Sequence, residues 1–146
     1  MGIDLYLLPV NGDFRGKAGI FYAHALIPLD RNAIIGDIRD VADKHAKDIP
    51  EPLSCFVAHQ ENGEHGYGYA TEDPYGEKLT YVLAKHLKPL ARKLGVTMDV
   101  EPKTNLPSVR LRKASVEDGY QSFLNQAAFA YILALPDDFK LVLYWH

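Results

Sequence analysis

Residues 119–145 read GYQSFLNQAAFAYILALPDDFKLVLYW, and the change of period inside this stretch decides the fold class. Tyr120, Phe123, Leu124, Ala127, Ala128, Tyr131, Ile132 and Leu135 recur at helical spacing, which predicts a helix with those residues on its core side. Ser115, with Asp118 three residues on, supplies a start resembling a capping box. Beyond Pro136 the pattern becomes a short apolar run, Phe139 to Trp145, which predicts a strand tied into the middle of a sheet. A helix that delivers the chain directly into such a strand is the signature of a mixed α/β domain.

Working backwards, Val96, Met98 and Val100 alternate with polar residues, and so do Val109 and Leu111. The two runs predict a hairpin with Asp99 and Glu101 opposite Arg110 and Arg112 on one face. Asp73-Pro74 resembles a helix start, followed by Leu79, Val82, Leu83, Leu87, Leu90, Ala91 and Leu94 on one face. Pro89 should kink or divide that helix. Lys78, Lys85, Lys88 and Arg92 occupy its opposite side. Near the start, Ile3–Val10 and Gly19–Leu29 predict two strands. Asp30 predicts the cap of a helix reaching about Lys47, with Ile34, Ile35, Ile38, Val41 and Ala42 inward. Leu53–Ala58 predicts a further strand. The order β-β-α-β-α-β-β-α-β implies an α+β fold, a single mixed sheet of about six strands with three helices, in one domain spanning residues 1–146.

The composition is that of an ordinary globular chain, with 47% hydrophobic and 24% charged residues and a net charge of −3. Such a charge argues against a nucleic-acid surface. It hides segregation, however. Residues 1–77 hold six basic against thirteen acidic side chains, residues 78–113 nine against two, and residues 114–146 one against four. The basic middle third is complementary to its neighbours, or else it hosts an anion. The lone Cys55 excludes an internal disulfide and a thiolate metal cage. No run approaches the ~18 apolar residues of a membrane helix, and Asp4 stands where a signal peptide needs a base. A cytoplasmic location is expected, with no membrane partner.

The opening MGIDLYLLP, the segment TEDPYGEKLTYVL and the close NQAAFAYILALPDDFKLVLYWH resemble a family of small uncharacterised bacterial and phage proteins. Its members share a Thr-x-x-Pro-Tyr-Gly segment before a helix and a Leu-Tyr-Trp-His-like ending. The resemblance implies one intracellular domain and transfers no functional residue. An inhibitor or sequestering protein of phage type would fit that context.

The sequence carries no nucleophile elbow, phosphate loop, dinucleotide fingerprint or zinc-protease motif. Residues 59–73, HQENGEHGYGYATED, show no apolar period and predict an exposed loop on the rim of the main cleft. Gly66-Tyr67-Gly68-Tyr69 alternates minimal residues with rings, so that backbone approaches a ligand while Tyr67 and Tyr69 stack on it or donate to it. Tyr75 lies close by, and Arg110 and Arg112 are the natural anion contacts. These five residues are the candidate ligand-binding set. His59, Glu61 and His65 are weaker candidates for acid–base work in a small hydrolase built on the 59–76 loop. Their spacing matches no established metal site, so neither a metal nor a cofactor is expected. The sequence thus points to a non-catalytic binding or interaction module, for a protein partner or a small polar or nucleotide-like ligand. The predicted outer side of the last helix, with Gln121, Asn125, Gln126 and Phe129, carries no charge and is the expected homodimer interface.

Overall fold

The computed structural model describes residues 4–10, 21–22, 27–49, 53–58, 65–70, 72–100 and 107–146. Its side chains are described for 4–10, 27–49, 72–97 and 116–146. The chain folds as α+β with three helices, as the sequence implies. Its principal sheet is antiparallel and has five strands: β1 (Leu5–Val10), β3 (Ile27–Pro28), β4 (Lys47–Asp48), β7 (Thr80–Leu83) and β10 (Lys140–Trp145), in the order β3-β1-β10-β7-β4. The last strand is indeed central. Leu7 pairs with Leu143, Leu5 with Trp145, and Val82 with Leu141. Two smaller sets complete the strands. In one, β2 (Phe21–Tyr22) runs parallel to β5 (Leu53–Ala58), which pairs antiparallel with β6 (His65–Ala70). The other is the ribbon of β8 (Leu94–Val100) and β9 (Pro107–Val116).

Alternation along the strands divides the interior in two. Leu5, Leu7, Val82, Leu141 and Leu143 join the main core with Ile34 and Ile38 of α1 (Ala33–His45), Ala84 and Leu87 of α2 (Ala84–Leu87), and Phe129 and Ile132 of α3 (Phe123–Ala134). Leu8, Val10, Leu79 and Val142 form a second buried cluster, flanked by Tyr6, Ile49, Tyr81 and Tyr144. Each strand of the sheet centre therefore serves both clusters, one residue to each side in turn.

Three helix boundaries differ from the sequence reading. The cap of α1 is Asn32, whose side chain accepts from Ile34 N at 3.0 Å. Asp30 is instead bonded by Ser122 Oγ at 2.6 Å. The start of α3 is capped by Ser122, and Ser115 remains in β9. The second helix shrinks to Ala84–Leu87, followed by a 3-10 segment over Lys88–Lys93. Thr80–Leu83 is strand because TYVL, with one β-branched and one aromatic side chain at its centre, pairs with β10 and alternates between the two clusters. The 3-10 segment begins at Lys88 and carries Pro89 in its first turn, where a missing N–H costs nothing.

The face of α3 is the largest correction. Asn125, Gln126 and Phe129, expected at a dimer interface, are buried, while Phe123, Leu124, Ala127 and Tyr131, expected in the core, are exposed. Both buried amides hydrogen-bond to backbone remote in sequence. Asn125 accepts from Asp30 N at 2.7 Å and donates to Asp30 O at 3.1 Å, clamping the chain before α1. Gln126 Nε2 donates to Leu94 O at 2.8 Å. The ribbon register slips between Leu94 and Val96, around Gly95 at φ 70°, so the ladder is irregular where Gln126 supplies a donor. Satisfied in this way, neutral amides enter a core at little net cost.

Candidate functional site

Ten residues at one end of the sheet line a cleft of about 510 Å³. Its floor and one wall come from Thr80 and Trp145, on the neighbouring strands β7 and β10. The opposite wall is the second half of α1, with Arg39, Ala42, Asp43 and Ala46. The turn at residues 73–78 forms the lip.

Asp73 makes that lip rigid. Nearly buried, it accepts through Oδ1 from Tyr75 N at 2.8 Å and Glu77 N at 3.2 Å. Its backbone N–H donates to Glu77 O at 2.8 Å, and its carbonyl accepts from Gly76 N at 3.0 Å. Pro74 presets one φ of the turn and Gly76 supplies the left-handed φ of 81°. The Asp-Pro pair therefore closes a turn where its sequence resembles a helix start. Tyr75 is held at the tip, 57% exposed, with its ring on the rim of the cleft.

On the far wall the Arg39 guanidinium lies 5.1 Å from the Trp145 ring centroid. Past Trp145, the chain ties itself back to β1. His146 N donates to Asp4 O at 2.9 Å, Asp4 N donates to His146 O at 2.7 Å, and the His146 ring stacks on Tyr6 at 4.1 Å. Arg31 grips Asp4 through two nitrogens, and that hydrogen-bonded guanidinium holds the Asp4 carboxyl below the usual carboxylate range. The end of β10 is thus tied to β1 by backbone hydrogen bonds and a ring stack that flank Trp145.

The lining residues include Trp145 with the Arg39 guanidinium over its ring, Lys78, Tyr75, Thr80, Asp43 and Glu77. A guanidinium laid on a ring keeps its N–H edge for a planar anion, and such stacking lowers the freedom lost on binding. Side chains of these kinds are chemically able to contact an anionic group and a flat ring.

Of the ligand-binding candidates expected from sequence, Tyr75 has a described side chain and borders this cleft. Tyr67 and Tyr69 lie in β6, opposite Phe56 and Ser54, and His65 pairs with Ala58. This part of the 59–73 segment is thus a strand and not a loop; its alternating glycines fit an extended ribbon as readily as a turn. The side chains of His65, Tyr67, Tyr69, Arg110 and Arg112, and His59 and Glu61 altogether, fall outside the described residues. In the ribbon register Arg110 stands directly across from Thr97, and Asp99 across from Ser108, so Asp99 and Arg110 are not directly opposed as expected. Gln121 is exposed beside α3 and lines a second cavity of about 340 Å³.

Two further polar clusters brace the helices. Tyr120 donates to Asp37 Oδ2, and Lys93 Nζ lies 3.3 Å from both. The hydrogen bond to Asp37 raises the Tyr120 hydroxyl pKa above the usual phenol value. His45 and His86 stack at 3.9 Å between ring centroids, and burial lowers the His86 pKa, aided by His45, Lys85 and Lys47. Lys88 donates to Leu135 O and Asp137, so part of the basic stripe is a structural tie. Among the described residues, no helix is long and apolar enough to cross a membrane, and no group of three or more metal-binding side chains converges.

Comparison with protein-family models, curated proteins and solved structures finds no match, so the functional reading rests on this geometry.

Proposed function

We propose that this chain is a non-catalytic binding module that takes a small polar ligand, nucleotide-like in having a flat ring and an anionic group, into the cleft between α1, the 73–78 turn and the end of β10. The observation that carries the reading is the Arg39 guanidinium lying over the Trp145 ring in that cleft. The anionic group meets the guanidinium edge and Lys78, and the ring of the ligand lies against Tyr75. Asp43 and Glu77 accept from donors on the ligand, which favours a mixed polar ligand over a bare anion.

Trp145 is the only tryptophan of the chain and borders the cleft, so its fluorescence is a probe of ligand entry. Titration with nucleoside monophosphates and with aromatic carboxylates is expected to quench or shift that emission saturably. Replacing Arg39 with Ala should weaken binding by roughly 10- to 100-fold, the worth of about 1.5–3 kcal/mol for a charge-assisted contact. Thermal melting in the presence of the same compounds gives an independent readout, because a ligand that binds only the folded chain raises its midpoint.

A further inference from the structure

Two histidines from different elements lie face to face at the end of α1. Along that helix Ile34, Ile38, Val41 and His45 follow one another at helical spacing, so His45 carries the inward stripe to the last residue. There it leaves the core and meets His86 of α2, with ring centroids 3.9 Å apart and planes only 8° from parallel. Two exposed lysines flank the pair. Lys85 precedes His86 on α2, and Lys47 begins β4, two residues past His45 and across from Tyr81 of β7, the strand that runs straight into α2. The His86 pKa is lowered first by burial and then by the charges of His45, Lys85 and Lys47.

The carboxylates nearby are directed or engaged elsewhere. Asp43 lines the cleft. Asp48 follows Lys47 on a strand and so projects to the other face of the sheet. Asp137, which feels Lys85, is held by Lys88 at 2.7 Å, with Asp138 exposed beyond it. On the 3-10 segment packed against α2, Lys93 is bound to Asp37 and Tyr120, while Arg92 is a further exposed cation, as is Lys44 beside His45. Among the described residues, no carboxylate lies within salt-bridge distance of His45, His86, Lys47 or Lys85.

We propose that His45, His86, Lys47 and Lys85 form a binding site for a phosphate-type oxyanion, distinct from the cleft and filled more tightly as pH falls through neutrality.

Positive and protonatable groups gathered without a carboxylate repel one another, and a doubly charged anion relieves that repulsion. The stacked imidazoles set the response to pH. So close together they resist double protonation while the site is empty, because the second charge faces the first. A dianion supplies the countercharge, so binding raises the imidazole pKa values, and by linkage protonation tightens binding. Imidazolium and ammonium N–H groups are charge-assisted donors to phosphate oxygens. A metal ion suits the site poorly, since parallel rings aim their in-plane nitrogen lone pairs side by side and two ammonium groups repel a cation.

Sulfate is the probe, because it keeps both charges between pH 6 and pH 8 and leaves the pH response to the imidazoles. The ring C–H signals of His45 and His86, identified with His45→Gln and His86→Gln and followed by NMR, should shift saturably with sodium sulfate. Sodium chloride at equal ionic strength should not reproduce the shift. Affinity should rise about tenfold from pH 8 to pH 6, the equivalent of a one-unit rise in one imidazole pKa. The double variant Lys47→Ala/Lys85→Ala, whose circular dichroism should match the wild type, should bind about tenfold more weakly. Arg39→Ala, in the cleft, should leave sulfate binding unchanged. Inorganic phosphate should displace sulfate; displacement by glycerol phosphate as well assigns the site to phosphoesters, and its failure to displace assigns it to the free anion. Equal shifts in chloride, equal affinity at pH 6 and pH 8, full binding without both lysines, loss of binding in Arg39→Ala, or no displacement by phosphate would each overturn the proposal.

Discussion

Arg39, midway along α1, lies over the ring of Trp145, near the end of the last strand, at 5.1 Å from its centroid. The contact joins a solvent-facing helix position to a ring that also packs against the main core. Exposed cation–π contacts contribute only about 0.5–1 kcal/mol. Arg39→Ala is therefore expected to leave the fold intact, lower the denaturation midpoint slightly, and shift Trp145 emission to the red as the ring gains water. An unchanged emission spectrum would show that Arg39 does not cover the ring.

Gln126 is expected to be the most sensitive polar position of α3. Its replacement by Ala strips Leu94 O of its buried donor and should cost about 1–3 kcal/mol, while Gln126→Glu adds a buried charge and should cost more. Exposed Gln121→Ala, just before the same helix, should be near neutral. Urea denaturation of the three variants checks the order.

The same helix shows how far the sequence could be read. Its period and extent are plain in residues 120–135, but period alone does not say which side faces inward. Both sides lack charge, and the inward one is decided by hydrogen bonds to Asp30 and Leu94, remote in sequence. The α1 stripe was legible because Asp37, Asp40, Asp43 and Lys44 oppose Ile34 and Ile38. Around residues 73–83 the apolar spacing suits helix and strand alike, and pairing with β10 settles it. Tyr75, a candidate from its local setting, borders the cleft. Arg39 and Trp145 were not legible, since neither has a local signal and only the fold brings them together.

The lip of the cleft depends on Asp73 and Gly76. Asp73→Ala removes the acceptor for two backbone N–H groups and is expected to cost about 1–2 kcal/mol, with Asp73→Asn retaining part of that contribution. At Gly76 an added Cβ meets nothing within 4 Å, so the cost of Gly76→Ala is the backbone strain of φ +81° alone, roughly 1 kcal/mol. Thermal melts of the three variants measure this, and ligand affinity should fall in step with the loss of lip order.

Acid should weaken the fold in two separate windows. The His86 pKa is depressed by burial and by His45, Lys85 and Lys47, so the unfolded chain binds this proton more readily. The contribution is complete above the ordinary histidine value of about 6.5 and is lost as pH falls through the depressed one. Asp4 and Asp137, held low by Arg31 and Lys88, contribute above the ordinary carboxylate value and lose it at still lower pH. Denaturation midpoints measured from neutral to mildly acidic pH should decline, and His86→Gln should flatten that decline without touching the carboxylate window. A profile unaltered by His86→Gln would exclude this origin.

The central claim is that the cleft walled by Arg39, Tyr75 and Trp145 binds a small anionic ring compound. The most direct measurement is the fluorescence titration of the single tryptophan with adenosine monophosphate, run beside Arg39→Ala. The account predicts a saturable change in Trp145 emission that weakens at least about tenfold in the variant. A flat titration, up to millimolar ligand and across aromatic carboxylates as well, or equal affinity in Arg39→Ala, would contradict it.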